Sequence, residues 1–267
     1  MKKPNNKNIA IIGGGYSGLS AAHEFIKKGY TVQIYEAAPF LGGLASTFDI
    51  GEAQVEKFYH HLFLSDQHLI DLLKEFDLDQ HIIWKNSSTS YFYDGKIYPF
   101  TTPLDLLKFS PVNLINRIRM GLLALYLQRV KKWEKYEKIT AADYMKKYAG
   151  SQNYKIIWEP LLKGKFSDYY EDVSMSWLWS KFATRVASRD KTFQEQLGYI
   201  EGSWDILTNA LAQYIINKGS TIHLQTRVTK IHVENNKVIG LDTVDSLGNT
   251  ESQNFDVILS TIPTFYL

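Results

Sequence analysis

The stretch that decides the fold is Asn8-Ile9-Ala10-Ile11-Ile12-Gly13-Gly14-Gly15-Tyr16-Ser17-Gly18. Its apolar half is typical of a buried strand, and its glycine-rich half is typical of a tight turn into a helix. Gly13 and Gly15 let the backbone turn and approach a ligand without an intervening Cβ, whereas Gly18 lets the helix pack close to the strand. The unpaired amides at the start of that helix favour an anion, so the stretch predicts a pyrophosphate site.

An acidic residue follows at the distance that a dinucleotide site requires. After a helix that ends at Gly29, residues 31–35 form an alternating strand that delivers Glu36, 21 positions after Gly15. A carboxylate about 20 residues past the glycine turn accepts hydrogen bonds from a ribose and disfavours a 2′-phosphate. A glycine-rich turn by itself is equally typical of an ordinary loop that binds no ligand. Strand, turn, helix, strand and acid together indicate a dinucleotide, with NADP disfavoured.

A second glycine pair, Gly42 and Gly43, follows soon after the ribose acid. It resembles the second motif of the flavoprotein superfamily that includes flavin amine oxidases, protoporphyrinogen oxidases, phytoene desaturases and UDP-galactopyranose mutases. In that superfamily the pair lies along the flavin side of FAD, and NAD-only dehydrogenases lack it. Residues 55–61, 91–100 and 198–263 are also similar to protoporphyrinogen-oxidase-like members. The resemblance therefore covers most of the chain, and its most specific part is the N-terminal motif pair.

The resemblance implies that the cofactor is FAD, and it assigns the contacts along the chain. Many members carry Arg after the glycine pair, where this chain has Leu44, so one cation toward the FAD phosphates is lost. The implied pyrophosphate contacts are Gly13, Gly14, Gly15, Ser17 and Gly18. The other implied contacts are Glu36 with the adenosine ribose, Gly42 and Gly43 with the flavin half, and the backbone of Val228 with the adenine. Leu44 occupies the cofactor-binding position of the missing arginine. No catalytic acid or base is assigned, and no metal site is expected.

Composition excludes several classes of protein. The 267 residues are 45% hydrophobic and 22% charged, which is enough to bury a core, and the net charge of +2 gives no argument for a nucleic-acid partner. The absence of cysteine excludes disulfides, cysteine zinc sites and a redox-active dithiol beside a flavin. The basic, polar first residues precede an apolar run too short for a signal peptide, so a cytoplasmic location is expected. No apolar run is long enough to span a bilayer.

The order of elements predicts an α/β protein. A Rossmann-like FAD-binding domain, with a parallel sheet and a β-meander, is expected in residues 1–80 and 198–267. A mainly helical substrate domain with a β-hairpin is expected in residues 81–197, and Asp94-Gly95 marks the hairpin turn. The meander comes from three alternating segments between Arg227 and Phe255, and residues 256–260 predict a buried strand that returns to the main sheet.

Within the predicted helical domain, a helix beginning at Pro111 carries an apolar run from Met120 to Leu127 with many basic residues at both ends. Two interpretations are open: a buried substrate-domain helix, which we prefer, and a helix lying on an anionic membrane. The tryptophans Trp177 and Trp179 are expected to fill a core rather than a pocket. His60-His61 lies on an extended segment, where neighbouring side chains point to opposite sides, so the two histidines do not both face one ligand.

These observations predict a FAD-dependent oxidoreductase that acts on a small apolar or cyclic substrate such as a porphyrinogen, an isoprenoid or an amine. The first alternative is a non-redox flavin isomerase similar to UDP-galactopyranose mutase, for which Arg117, Arg185 and Arg189 are available to bind a diphosphate. The second is a catalytically inactive nucleotide-binding module. Members of the resembled superfamily continue past residue 267 with a segment that holds the flavin, so we expect a missing C-terminal part or a partner chain.

Overall fold

The computed structural model describes residues 7–188 and 194–266, which form two compact units. The first unit contains the chain up to His60, Leu69–Ile83 and the chain from Tyr199 onward, and the second contains His61–His68 and Trp84–Gly198. The sequence analysis placed boundaries after residues 80 and 197, whereas the two units change over after residues 60, 68, 83 and 198. The short segment 61–68, which the sequence analysis assigned to the nucleotide-binding domain, belongs instead to the helical unit.

The elements are numbered in chain order. The strands are β1 (Ile9–Ile12), β2 (Val32–Tyr35), β3 (Thr47–Ile50), β4 (Ala53–Glu56), β5 (Leu62–Phe63), β6 (Ile82–Asn86), β7 (Ser90–Tyr93), β8 (Lys96–Pro99), β9 (Gln196–Ile200), β10 (Thr221–His223), β11 (Arg227–Glu234), β12 (Lys237–Val244), β13 (Thr250–Asn254) and β14 (Val257–Ser260). The helices are α1 (Tyr16–Lys27), α2 (Gln67–Glu75), α3 (Pro103–Lys108), α4 (Leu114–Arg129), α5 (Ala141–Tyr148), α6 (Ser151–Asn153), α7 (Glu159–Phe166), α8 (Met175–Ala187) and α9 (Asp205–Asn217).

A parallel sheet with the strand order β10-β2-β1-β14 forms the centre of the first unit. Strand β1 is central and buried throughout, as its uninterrupted apolar sequence requires, and Ile9 lies in register with Val32 on one side and Val257 on the other. Helix α1 connects β1 to β2 and packs against α9. The predicted α/β class and the returning parallel strand are therefore confirmed.

The predicted β-meander is present as the antiparallel sheet β11-β12-β13. Asn235 and Asn236, the two residues between β11 and β12, both have positive φ, which is the geometry of a tight hairpin turn. Leu241 and Phe255 are buried in one cluster with Ala10 and Tyr35 of the parallel sheet, so apolar burial joins the meander to the central strands.

Helices dominate the second unit, together with the hairpin β7–β8, in which Asp94 and Gly95 have positive φ as predicted. Strand β9 pairs antiparallel with β5, a two-residue strand too short to show a period in the sequence. Trp177 and Trp179 are half-buried against the main cluster of this unit, which agrees with the core interpretation.

Helix α4 differs from its prediction in two ways. It begins at Leu114 rather than at Pro111, because the Asn113 side chain accepts a hydrogen bond from the Asn116 amide and so caps the helix three residues later. The preferred interpretation of a buried helix also holds for one side only: Met120, Leu123 and Leu127 are buried, but the opposite apolar face is exposed.

The helical run from Ser151 to Phe166 contains a π-helical segment, Tyr154–Trp158, just before Pro160. Proline has no N–H, so Pro160 cannot donate to the carbonyl of Ile156 four residues earlier. The hydroxyl of Tyr91 from the hairpin donates to that carbonyl instead. A side chain from β7 thus supplies the hydrogen bond that the helix backbone cannot make.

We expect Tyr91→Phe to lower the free energy of unfolding by about 1–2 kcal/mol, because the carbonyl of Ile156 loses its donor. In a Pro160→Ala background the alanine N–H is available to that carbonyl, so the same substitution is expected to cost less. Urea unfolding of the four proteins in this double-mutant cycle measures the difference. Equal costs in both backgrounds would show that the hydroxyl does not replace the missing amide.

Candidate functional site

The glycine turn at the carboxyl end of β1 leads directly into the N-terminus of α1. Gly13 has a φ of +106°, and its N–H donates to the carbonyl of Tyr35 at 2.9 Å. Gly15 caps α1 without any side-chain hydrogen bond, and the first turn of α1 contains no acidic residue. No acidic residue of α1 itself neutralises the positive end of this helix, and the amides of its first turn are available to an anion. Ser17, in that first turn, is exposed.

The glycines of this turn are required for different reasons. A Cβ on Gly18 would overlap the carbonyl oxygen of Gly13, and a Cβ on Gly13 would lie 2.6 Å from the hydroxyl of Thr261. In contrast, a Cβ on Gly15 would have no neighbour closer than 3.7 Å, the Cα of Gly43. Packing within the protein requires Gly13 and Gly18 but not Gly15. The open space at Gly15 lets a ligand group such as a pyrophosphate approach the protein backbone.

Glu36 lies beside the glycine turn, as its spacing predicted. Its Oε2 accepts from the Gly14 N–H at 2.6 Å, and its Oε1 accepts from the Ala38 N–H at 2.7 Å. Each carboxylate oxygen has two lone-pair directions, so both can also accept from ribose hydroxyls. The two amide bonds hold the half-buried carboxylate in place before a ligand arrives.

The second glycine pair packs directly on the first turn. The Gly42 N–H donates to the Gly14 carbonyl at 3.0 Å, and Gly15 and Gly42 form a parallel β-bridge. A Cβ on Gly43 would lie 3.1 Å from the Cα of Gly15, and both residues of the pair have positive φ. The two glycine motifs therefore form one continuous backbone surface. Leu44 follows with its side chain 68% exposed.

Ser46 is a candidate site residue that the sequence analysis did not name. It is 2% exposed, and its hydroxyl has no hydrogen-bond partner among the residues that the structure describes. A buried hydroxyl without a partner costs about 1–3 kcal/mol, so a polar ligand group beside it would remove that cost. Its position three residues after Gly43 was the available signal, but the sequence does not show that the hydroxyl is buried.

Hydrogen bonds of three further side chains, Tyr16, Thr208 and Thr261, connect the glycine surface to later parts of the chain. Thr261, directly after β14, donates through its N–H and its hydroxyl to the carbonyl of Ile12, both at 2.9 Å. The Tyr16 hydroxyl donates to the carbonyl of Trp204 at 2.7 Å, and the Thr208 hydroxyl donates to Tyr16 at 3.0 Å. Burial raises the pKa of Tyr16, which keeps its hydroxyl protonated as a donor.

The remaining predicted residues of the first unit lie on its other elements. Val228 is on β11 opposite Thr243, half-buried against the cluster that joins the meander to the sheet. The N–H of Thr226, two residues earlier, donates to the Glu36 carbonyl at 2.9 Å, which brings the start of β11 beside the ribose acid. His60 contacts the ring of Trp204 at a centroid distance of 6.0 Å, whereas His61 belongs to the second unit.

The structure gives the arginines of the isomerase alternative other roles. Arg117 donates to the carbonyl of Leu107, and Arg185 lies 3.8 Å from Glu195. Arg189 lies outside the described residues. Among residues 7–188 and 194–266, no cluster of three or more metal-ligating side chains forms, and no helix is long and apolar enough to cross a bilayer.

The sequence model of flavin containing amine oxidoreductases matches residues 16–264, which is nearly the whole chain. The chain belongs to this family. Sequence relatives include the zeta-carotene desaturase of Arabidopsis thaliana, 26% identical over 81% of this chain and 43% of the relative. The 1-hydroxycarotenoid 3,4-desaturase of Flavobacterium is 25% identical over 97% of this chain and 57% of the relative. The chain thus spans about half the length of the relatives it matches.

The fold also matches solved structures. An oxidoreductase from Methanosarcina mazei superposes with a TM-score of 0.68, at 19% identity, over 95% of this chain and 58% of that structure. The flavin of the family is FAD. The residues present fit it, because the glycine surface has room at Gly15 for a pyrophosphate and Ser46 places an unpartnered buried hydroxyl after the second glycine pair.

The contrast between two glycines of the turn can be tested in the apoprotein. Gly18→Ala is expected to lower the free energy of unfolding by more than about 2 kcal/mol, because the added Cβ overlaps a carbonyl oxygen. Gly15→Ala is expected to cost about 1 kcal/mol, the loss of a good helix cap, and yet to weaken FAD binding at least tenfold. Chemical unfolding and FAD fluorescence titration measure the two effects. FAD affinity unchanged in Gly15→Ala would contradict the proposed approach of the pyrophosphate.

A second test concerns Glu36. In Glu36→Gln one carboxylate oxygen becomes an NH₂ group, which cannot accept from the backbone amide of Gly14 or Ala38 that it faces. We expect FAD to bind roughly tenfold to a hundredfold more weakly, since charge-assisted hydrogen bonds contribute about 1.5–3 kcal/mol. Glu24→Gln on the outer face of α1 is the matched control. An equal loss in both variants would argue against a ribose contact.

Proposed function

We propose that this chain holds FAD on its glycine surface and belongs to an enzyme that dehydrogenates an apolar isoprenoid substrate. The observation that carries the cofactor part is the β-bridge between Gly15 and Gly42, which joins the two predicted motifs into one surface with room for a pyrophosphate. The substrate part is supported by the likeness to two carotenoid desaturases over 81% and 97% of the chain. Porphyrinogens and amines, the other predicted substrates, are alternatives for the same chemistry.

When bound, FAD supplies the hydride acceptor. The chain's own residues bind and orient it. The amides at the start of α1 hold the pyrophosphate without a cation at position 44, and the Glu36 carboxylate accepts from the ribose hydroxyls. Backbone at Gly42 and Gly43 lies toward the flavin half, where the Ser46 hydroxyl is available as a hydrogen-bonding group. The backbone of β11 at Val228 lies on the adenine side.

The isomerase alternative has less support from the described residues. A sugar-nucleotide diphosphate needs arginines that converge on it, and both described candidates already contact other groups in the second unit. An isomerase turns over with catalytic amounts of reduced flavin and no net electron acceptor, whereas a dehydrogenase consumes its acceptor. We also propose that this chain is located in the cytoplasm.

The first test is the visible spectrum of the purified chain after incubation with FAD and removal of free flavin. Retained flavin absorbance, lost in Gly15→Ala, is expected. A colourless protein would overturn the cofactor assignment and favour an inactive module.

The second test applies only to flavin-loaded protein. Anaerobic mixing with zeta-carotene in detergent is expected to bleach the flavin and to yield a product that lacks two hydrogens by mass spectrometry. Protoporphyrinogen and putrescine serve as comparison substrates of the two other predicted classes. Bleaching by one of these instead would correct the substrate class, and no bleaching by any of them would contradict the proposed reaction of this chain.

A further inference from the structure

The exposed face of α4 is an apolar stripe on a strongly basic part of the chain. Ile115, Ile118, Leu122, Leu125 and Tyr126 are all at least 47% exposed, and they recur at the spacing of one helix face. The opposite face is anchored in the core of the second unit by Met120, Leu123 and Leu127. Contiguous exposed apolar side chains of this kind mark a surface that contacts something other than water.

Charge is segregated around this stripe. Residues 108–138 contain eight Lys or Arg and two Asp or Glu, whereas the rest of the chain contains 22 basic and 26 acidic residues. Helix α4 itself has three arginines and no acidic residue. Within the part of the chain that the structure describes, no basic residue of 108–138 lies within ion-pair distance of a carboxylate. The positive charge is therefore not neutralised locally and favours an anionic partner.

Aromatic side chains border the same face. An open cavity of about 570 Å³ is lined by Leu122 and Tyr126 of the stripe and by Tyr148 and Lys135. The Lys135 ammonium donates to the Tyr126 hydroxyl at 3.1 Å. Trp133 is partly exposed and stacks on Trp179 at a centroid distance of 6.3 Å. Aromatic rings that present an apolar body and a polar edge are typical of the level at which a membrane meets water.

We propose that this face of α4, with Lys131 and Lys132 directly after the helix, docks the chain on a bilayer surface that contains anionic phospholipid. The apolar stripe enters the boundary between headgroups and acyl chains while the basic residues remain at the headgroup phosphates. A bilayer with anionic headgroups matches both the apolar stripe and the cations. An apolar groove of a protein would match only the stripe, and an acidic protein surface would match only the charge. The docking goes beyond the proposed reaction and requires neither FAD nor substrate.

Vesicle co-sedimentation of the chain tests the proposal. We expect binding to vesicles of equimolar phosphatidylcholine and phosphatidylglycerol that weakens at high salt, and little binding to phosphatidylcholine alone. Lys131→Gln with Lys132→Gln is expected to reduce binding to the anionic vesicles roughly 30-fold, at about one factor of five for each lysine. Leu122→Ser with Leu125→Ser is expected to reduce it tenfold or more.

Matched controls separate this face from general charge and hydrophobicity. Lys28→Gln with Lys237→Gln and the single variant Leu247→Ser change exposed residues of the first unit, and both are expected to bind like the unmodified chain. The substituted side chains of α4 are exposed, so thermal unfolding is expected to stay unchanged, and circular dichroism checks this.

Three outcomes would overturn the proposal. The first is no sedimentation of the unmodified chain with anionic vesicles. The second is an equal loss of binding in the controls and the α4 variants. The third is a dimer, seen by light scattering, that Leu122→Ser with Leu125→Ser dissociates while vesicle binding is absent, since the face would then be a contact between two copies of the chain.

Discussion

The first unit depends on the close approach of backbone to backbone at three points of the glycine surface. The carbonyl of Gly13 occupies the space that a side chain on Gly18 would need, and Gly43 packs on Gly15. The bond from the Gly42 amide to the Gly14 carbonyl then connects the two loops. The contacts at Gly18 and Gly43 require residues without a Cβ, because a larger residue would push the helix from the strand or one loop from the other. This approach leaves Gly15 open on the side where an anion is favoured.

Support for this surface comes from side chains whose hydrogen bonds hold it in place before any ligand binds. Glu36 accepts from two amides, Thr261 donates twice to Ile12, and Tyr16 connects the start of α1 to Trp204. Such preorganisation lowers the entropic cost of binding, because the donors and acceptors do not have to be ordered when the cofactor arrives. The loss of an arginine at position 44 is then less costly, since most of the proposed phosphate interaction comes from backbone that is already ordered.

The sequence predicted the parts of the site that lie within one βαβ unit, since Gly13 to Gly18 and Glu36 are related by short, regular spacings. It did not predict Ser46, Thr208 or Thr261, because their roles depend on burial and on contacts with residues far away in the chain. For α4 the sequence left two interpretations open and did not show which side of the helix is exposed. Leucines lie on both sides of that helix, Leu122 and Leu125 on the exposed side and Leu123 and Leu127 on the buried side, so its sequence shows no polar side to mark the surface. Strand β5 has only two residues and shows no periodicity.

The position of β1 between β2 and β14 has a consequence for how the nucleotide-binding unit assembles. Ile9 pairs with Val32 and also with Val257. The central strand β1 therefore cannot complete its pairing until β14, which follows the entire helical unit in the chain, has been synthesised. Contacts of such large separation in the chain slow folding, whereas helices α3 to α8 form from near neighbours. During synthesis the helical unit is therefore able to collapse first, and Thr261 reaches the glycine surface only after that unit has been synthesised.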